Sequence, residues 1–374
     1  MKKILFVANI HKHFLAFHLP YMQWFKNQGY KVHVVAGGDA DVVVPIADKQ
    51  FTLPIERSPF KVSNIRACSK LSSIIKREQY CLVLCHTAMG AVVARWAARK
   101  VRSKGCLKVL YTAHGFHFFK GSPKRYWWMY YPMEKFLSRY TDAIITINQE
   151  DFNLVKTHGF HNKDTYKIPG IGINTKRLLS TSLELRHRLR QEYGYEDSNL
   201  ILIYIEEYIE RKNHLFIIDT LPQLSKRIPN IKVLFAGRGC LMEQMKEYAR
   251  VIHVERYIDF LGYRKDIGQL IALSDIGISA SRQEGLGLNI AEEMYSGIPV
   301  VVSEDRGHKE LVVNGENGFI YPQMDQEAFI NSIVKMGKDE ELRKQMGEDA
   351  KMKMKKFALD NALEEMVKIY QKYL

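Results

Sequence analysis

The sequence predicts an α/β protein of two doubly wound, Rossmann-like halves, and three observations lead there. Short apolar, β-rich runs alternate with helical stretches along the chain, as mostly parallel sheets require. The alternation is interrupted once, at Ile168-Pro-Gly-Ile-Gly-Ile-Asn174, where turn formers cluster. With 374 residues and 46% apolar content, the chain can fill the cores of two domains of ordinary size.

In the first half the predicted strands are residues 3–9, 31–36, 82–86, 108–112 and 143–147. Helical composition separates them at 18–28, ended by Gly29, and at 65–77, 91–102 and 125–139. Beyond the break a charged helix at 183–193 precedes strands at 200–205, 232–236, 257–261, 276–279 and 299–303, and the tail is helical from Gln326. This division gives domains 1–174 and 175–355 and a last segment 356–374.

Charge is placed unevenly. Up to Thr175 there are 26 Lys and Arg against 10 Asp and Glu; beyond it, 29 against 31. The whole excess behind the formal +14 therefore lies in the first half, which points to an anionic partner such as phospholipid headgroups or nucleic acid. No apolar run reaches the ~18 to 20 residues of a membrane span, and Ile4 to Ala8 is too short for a signal peptide, so a cytoplasmic protein is expected. Five cysteines (Cys68, Cys81, Cys85, Cys106, Cys240) form an odd set with no C-x-x-C, against a disulfide framework or structural zinc. Neither a Walker loop nor G-x-G-x-x-G is present, which removes support for ATP hydrolysis and nicotinamide chemistry.

The most informative stretch runs from Ser279 to Ser303 and reads as strand, loop, helix and strand. Gly285 and Gly287 clear side chains from where a phosphate would approach, and the helix opened by Leu288 and Asn289 turns N–H groups and a partial positive charge toward the same space. Glu284 and Glu292, two turns apart, supply acceptors suited to sugar and ribose hydroxyls. With Gly297-Ile-Pro-Val-Val301 behind it, this stretch resembles the E-x7-E region of the retaining family-4 glycosyltransferases. That resemblance covers nearly the whole chain and implies the GT-B fold, two Rossmann-like domains facing a central cleft with the C-terminal helix crossing back to the first.

Further matches extend it. After residues 200–205 the loop Glu206-Glu-Tyr-Ile-Glu-Arg211-Lys212 carries a cationic pair, poorly placed against a helix dipole unless it meets an anion. In the resembled family this pair neutralises the leaving diphosphate. Gly237, Arg238, Tyr263 and Arg264 fall where relatives surround the base and ribose, although Arg238 takes a position more usually acidic or small. His114, in Ala-His114-Gly-Phe-His-Phe, matches a histidine that contacts the donor sugar and the reacting centre, and its wording is similar to capsule and exopolysaccharide enzymes. The first loop, Asn9-Ile-His-Lys12-His13 followed by His18-Leu-Pro20, departs from the Gly-Gly of many relatives and reads as an acceptor-side element. The aromatic and basic run 116–131 suits a lipid headgroup boundary, with burial of Trp127, Tyr130 and Tyr131 in the core as the alternative. Asp39-Ala-Asp41 looks like a metal-binding D-x-D but sits in the wrong domain for a donor and reads as a solvated turn.

The resemblance implies a retaining glycosyltransferase moving a sugar, with a HexNAc as first choice, from a UDP-sugar to an undecaprenyl-diphosphate-linked saccharide. It would work peripherally on the anionic inner membrane face, in bacterial surface polysaccharide synthesis. Arg211 and Lys212 would stabilise the departing diphosphate, Glu292 would hold the ribose and Glu284 the sugar hydroxyls, with no metal or other cofactor. A UDP-sugar 2-epimerase, a non-catalytic membrane-docked partner subunit and a nucleic-acid-binding protein are the competing readings; the intact motifs count against the first two, and the third lacks any recognisable module.

Overall fold

The computed structural model describes residues 1–38, 41–179 and 182–374. Asp39 and Ala40 of the Asp-x-Asp reading lie outside the described residues. Contacts divide the chain into a first unit, Met1–Ile171 with Asp360–Leu374, and a second unit, Gly172–Leu359.

The first unit holds β1 (Lys3–Ile10), β2 (Lys31–Gly37), β3 (Lys49–Thr52), β4 (Leu82–His86), β5 (Lys108–Ala113), β6 (Ala143–Thr146) and β7 (Asp164–Lys167). All pair parallel in the order β3-β2-β1-β4-β5-β6-β7. Strand order reverses between β1 and β4, and such a switch point opens a crevice at the strands' carboxyl ends. The last helix, Leu359–Gln371, belongs mainly to this unit, where Tyr370 packs on Phe25 with ring centres 5.0 Å apart.

The second unit repeats the plan with β8 (Leu200–Ile205), β9 (Ile231–Ala236), β10 (Ile258–Gly262), β11 (Ile276–Ser279), β12 (Val300–Ser303) and β13 (Gly318–Tyr321). These are also parallel, in the order β10-β9-β8-β11-β12-β13. Its switch point lies between β8 and β11. Strands covered on both faces carry continuous apolar runs, as in the fully buried Val300–Val302.

Three strands escape the sequence reading. β3, β7 and β13 each end a sheet, and Lys-Gln-Phe-Thr, Asp-Thr-Tyr-Lys and Gly-Phe-Ile-Tyr are too short or too polar to announce themselves. The expected first loop is corrected as well. β1 leads directly into the helix His11–Phe17, which buries His11 and Phe14, and a second helix, Leu19–Asn27, begins beyond His18 with Pro20 in its first turn.

The aromatic run is largely a core feature, contrary to the membrane expectation. Helix Lys124–Ser138 lays Trp127, Tyr130 and Tyr131 against the first unit's core, while its buried Glu134 accepts from Arg95 Nη2 at 2.7 Å. Of its two tryptophans only Trp128 faces solvent, at 86% exposure.

Candidate active site

In the second unit the predicted cationic pair follows β8 and the predicted Glu284-to-Glu292 stretch follows β11, its neighbour in the sheet. The loop after β8 forms a 3-10 turn, Glu210–Lys212, before left-handed Asn213 (φ 56°) opens the helix His214–Arg227. The cationic pair therefore precedes the helix instead of opposing its dipole. Its two members differ. Arg211 is exposed, and Nη1 donates to the Gln283 carbonyl at 3.0 Å while its own carbonyl accepts from the Arg282 N–H at 2.8 Å. Lys212 is buried, with Nζ on Glu206 Oε1 at 2.5 Å and on Glu284 Oε1. Lys212, expected beside Arg211 as a cation for the diphosphate, thus has two carboxylates around its charge.

Burial and the neighbouring Glu284 push Glu206 up to about 7. Burial acts upward on Glu284 too, but Lys212, His308 and Ser281 hold it below the usual carboxylate value. Near neutrality the trio is balanced by one lysine, one ionised glutamate and a Glu206 that readily takes a proton. Asp305 fixes the Glu284 backbone, its Oδ1 accepting from the Glu284 N–H at 3.0 Å and the Gly307 N–H at 2.8 Å. Burial raises Asp305 to about 7.

Gly287 has φ +90°, the left-handed region that glycine enters without strain, and a side chain there would meet the buried His308 ring at 3.4 Å. It introduces the helix Leu288–Tyr295, whose first intrahelical bond is Ala291 N to Gly287 O at 3.0 Å. The N–H groups of Leu288, Asn289 and Ile290 precede that bond, so this end suits an anion. Glu292, on the same helix, is buried and gripped by Arg177, with Nε at 3.1 Å from Oε1 and Nη2 reaching both oxygens. Burial raises Glu292 and Arg177 opposes the rise. Glu293 is fully buried, and burial, Glu206 and Glu292 lift it well above the usual value.

The outer part of the predicted site is looser. Gly237 has a structural explanation, since a Cβ would stand 1.8 Å from the Glu206 carbonyl oxygen, so the β8 and β9 ends approach closely only with glycine there. Arg238 lies over the exposed Tyr263 ring at 5.1 Å, and Arg264 pairs with Asp266.

His114 belongs to the first unit, just beyond β5. Three further histidines join it: His13 and His18 from the stretch read as an acceptor-side element, and His86 at the end of β4, which the sequence reading left without a role. One nitrogen from each ring lies within 4.8 Å of the others, with His18 and His86 buried and His13 and His114 partly so. A cavity of about 490 Å³ beside them is lined in part by Asn9, Lys12, His13, Arg57 and His117.

Reading by spacing also missed Glu206, Arg177, Asp305 and His308. Glu206 had a signal, its position directly after a strand at the carboxyl end. Arg177 had none, standing 115 positions from Glu292.

The family described as "Glycosyl transferases group 1" matches residues 186–353, and the one described as "Glycosyl transferase 4-like" matches residues 3–148. Along 373 residues the chain is 40% identical to EpsD of Bacillus subtilis (strain 168), a protein provisionally named as a glycosyltransferase, spanning all of this chain and 97% of the relative. The chain belongs to this glycosyltransferase family and is itself a glycosyltransferase. It is also 24% identical over 284 residues to the UDP-Gal:alpha-D-GlcNAc-diphosphoundecaprenol alpha-1,3-galactosyltransferase of Escherichia coli, covering 75% of this chain and 72% of that one. Among solved structures, Anabaena HepE in complex with UDP and glucose superposes with a TM-score of 0.80 over the full length of both chains at 20% identity, which establishes the GT-B fold.

Proposed function

We propose that this enzyme transfers a sugar, with retention, from a UDP-sugar to a lipid-linked saccharide, and that a HexNAc is the first donor to try. The observation that carries the reading is the second unit's switch point, where Arg211 and a helix N-terminus offer positive charge beside Glu284 and Glu292. A diphosphate suits the former and hydroxyls the latter. The named substrate of the E. coli relative and the UDP-bound HepE relative support the donor and acceptor classes.

In the proposed step the bond from the sugar C1 to the β-phosphate oxygen breaks and a bond from C1 to the acceptor oxygen forms on the same face. The acceptor hydroxyl proton passes to the departing phosphate oxygen. Negative charge develops on that phosphate, and Arg211 with the Gly287–Leu288 helix start stabilises it. Lys212 acts mainly by holding Glu284 and Glu206 in place. Glu284 receives a sugar hydroxyl and Glu292 the ribose, with Arg177 orienting Glu292. Gly285, Asn289, Gly237, Arg238, Tyr263 and Arg264 complete the nucleotide-binding set. On the resemblance alone we assign His114 to the reaction, and His114→Ala is expected to lower kcat more than it raises the donor KM.

No helix among the described residues is long and apolar enough to cross a membrane. We place peripheral contact with an anionic inner membrane face at the first unit's segment around Phe60, Val62 and Ile65, exposed at 79%, 66% and 70%, with Arg57, Lys61 and Arg66 interleaved. Loss of co-sedimentation with phosphatidylglycerol vesicles in a Phe60→Ser, Ile65→Ser variant is the expected result; unchanged binding excludes this patch.

The test of the whole reading is calorimetric titration with UDP, UDP-GlcNAc, UDP-GalNAc, UDP-glucose and UDP-galactose. Wild type should bind UDP and one UDP-sugar, with both lost in Glu292→Ala and weakened in Arg211→Ala. Absence of nucleotide binding by wild type overturns the proposal.

A further inference from the structure

We propose that His13, His18, His86 and His114 together bind a divalent transition-metal cation, best fitted by Zn²⁺. The rings come from separate places, the helix His11–Phe17 and the residue after it, the end of β4 and the turn beyond β5, so the fold itself assembles them at the first unit's switch point. Their closest approaches are His13 Nε2 to His18 Nε2 at 3.1 Å and His86 Nδ1 to His114 Nε2 at 3.5 Å. A tetrahedron of Zn–N bonds of about 2.0–2.1 Å has edges of roughly 3.3 Å, between those two values. All four nitrogens lie within 4.8 Å of one another.

The surroundings favour a bound cation over a solvated cluster. Phe6 stacks on His86 with ring centres 5.9 Å apart, and Phe14 and Tyr21 flank His18 at 6.2 and 6.0 Å. A set made only of imidazole nitrogens prefers Zn²⁺, Cu²⁺ or Ni²⁺ and discriminates against Mg²⁺ and Ca²⁺, which require oxygen. This site is separate from the diphosphate-binding residues of the second unit.

The experiment uses the full chain, treated with a chelator and titrated with Zn²⁺, and in parallel with Mg²⁺, in the absence of nucleotide. Its outcome is therefore independent of the transferase reading. We expect one Zn²⁺ per chain, no Mg²⁺ binding, and affinity lowered about 10- to 100-fold or more in His18→Ala and His86→Ala. Substitution with Co²⁺ should give visible ligand-field bands without a thiolate charge-transfer band, which separates the histidines from exposed Cys106 and Cys240. That spectrum is read on wild type and decides the matter even where a variant does not fold. Absence of Zn²⁺ binding, binding unchanged in both folded variants, or a thiolate band overturns the proposal.

Discussion

The two units place their chemistry at equivalent points of two similar sheets and fill those points with opposite materials. At the first switch point four imidazoles face one another; at the second, Glu206, Glu284 and Glu292 meet Lys212 and Arg177. Burial disfavours charge in both and so moves bases and acids in opposite directions. In the first unit it holds His13 at about 3 and His114 at about 4, with His18 and His86 well below the ordinary value. In the second it lifts Glu206 and Asp305 to about 7. Equivalent crevices thus hold a cluster of neutral imidazoles in one unit and a charged carboxylate and lysine network in the other.

The largest expected effect separates the units by pH. A histidine whose folded pKa lies below its unfolded value of 6.5 costs stability as the pH falls through that window, because the unfolded chain takes the proton first. Each buried ring contributes about 1.4 kcal/mol per pH unit below 6.5, so four rings destabilise the first unit by several kcal/mol at about pH 5.5. In the second unit raised Glu206, Asp305, Glu292 and Glu293 favour the folded state on acidification while lowered His214 and His308 oppose it, so the contributions offset and its stability holds where the first unit's falls. Hydrogen exchange on chelator-treated protein, compared above and below neutrality, should show protection falling in the first unit and holding or rising in the second. Parallel behaviour of the two would break the contrast.

Next in size is Lys212→Ala. Removing the lysine leaves Glu284 buried and ionised beside Glu206, an uncompensated charge of the kind that costs about 3–5 kcal/mol. Urea unfolding should show that loss together with abolished transfer. A cost near that of a surface lysine would mean that the network is not what holds the loop.

Arg177→Ala sharpens the comparison by testing one carboxylate alone. Half-exposed Arg177 is screened by solvent, so the expected destabilisation is smaller, about 1 kcal/mol, with UDP affinity reduced about tenfold by calorimetry. Unchanged affinity would show that Glu292 needs no orienting partner. Smallest is Gly287→Ala, which forces a side chain into the left-handed region at a cost of about 1 kcal/mol, read as a fall of a few degrees in Tm.

Legibility followed burial. Interior strands such as Leu200–Ile205 and Val300–Ser303 were evident because both faces are covered and the runs are uniformly apolar, whereas edge strands β3, β7 and β13 left no such trace. The run from Glu284 to Glu292 was evident because its glycines, helix start and carboxylates are consecutive. The aromatic run around Trp127 was ambiguous, since an aromatic ring next to a lysine has the same composition in a core as at a lipid surface.

By itself the sequence determined the α/β class, the two sheets, the family and the E-x7-E loop, all of which rest on local order: periodicity, turn residues and short spacings. Only the tertiary structure decided that Lys212 is enclosed by Glu206 and Glu284, that Arg177 reaches Glu292, and that four histidines spread between positions 13 and 114 converge. Such pairings depend on which strand ends the parallel crossovers bring together, and crossover order is set by packing between distant segments, for which adjacent residues carry no signal.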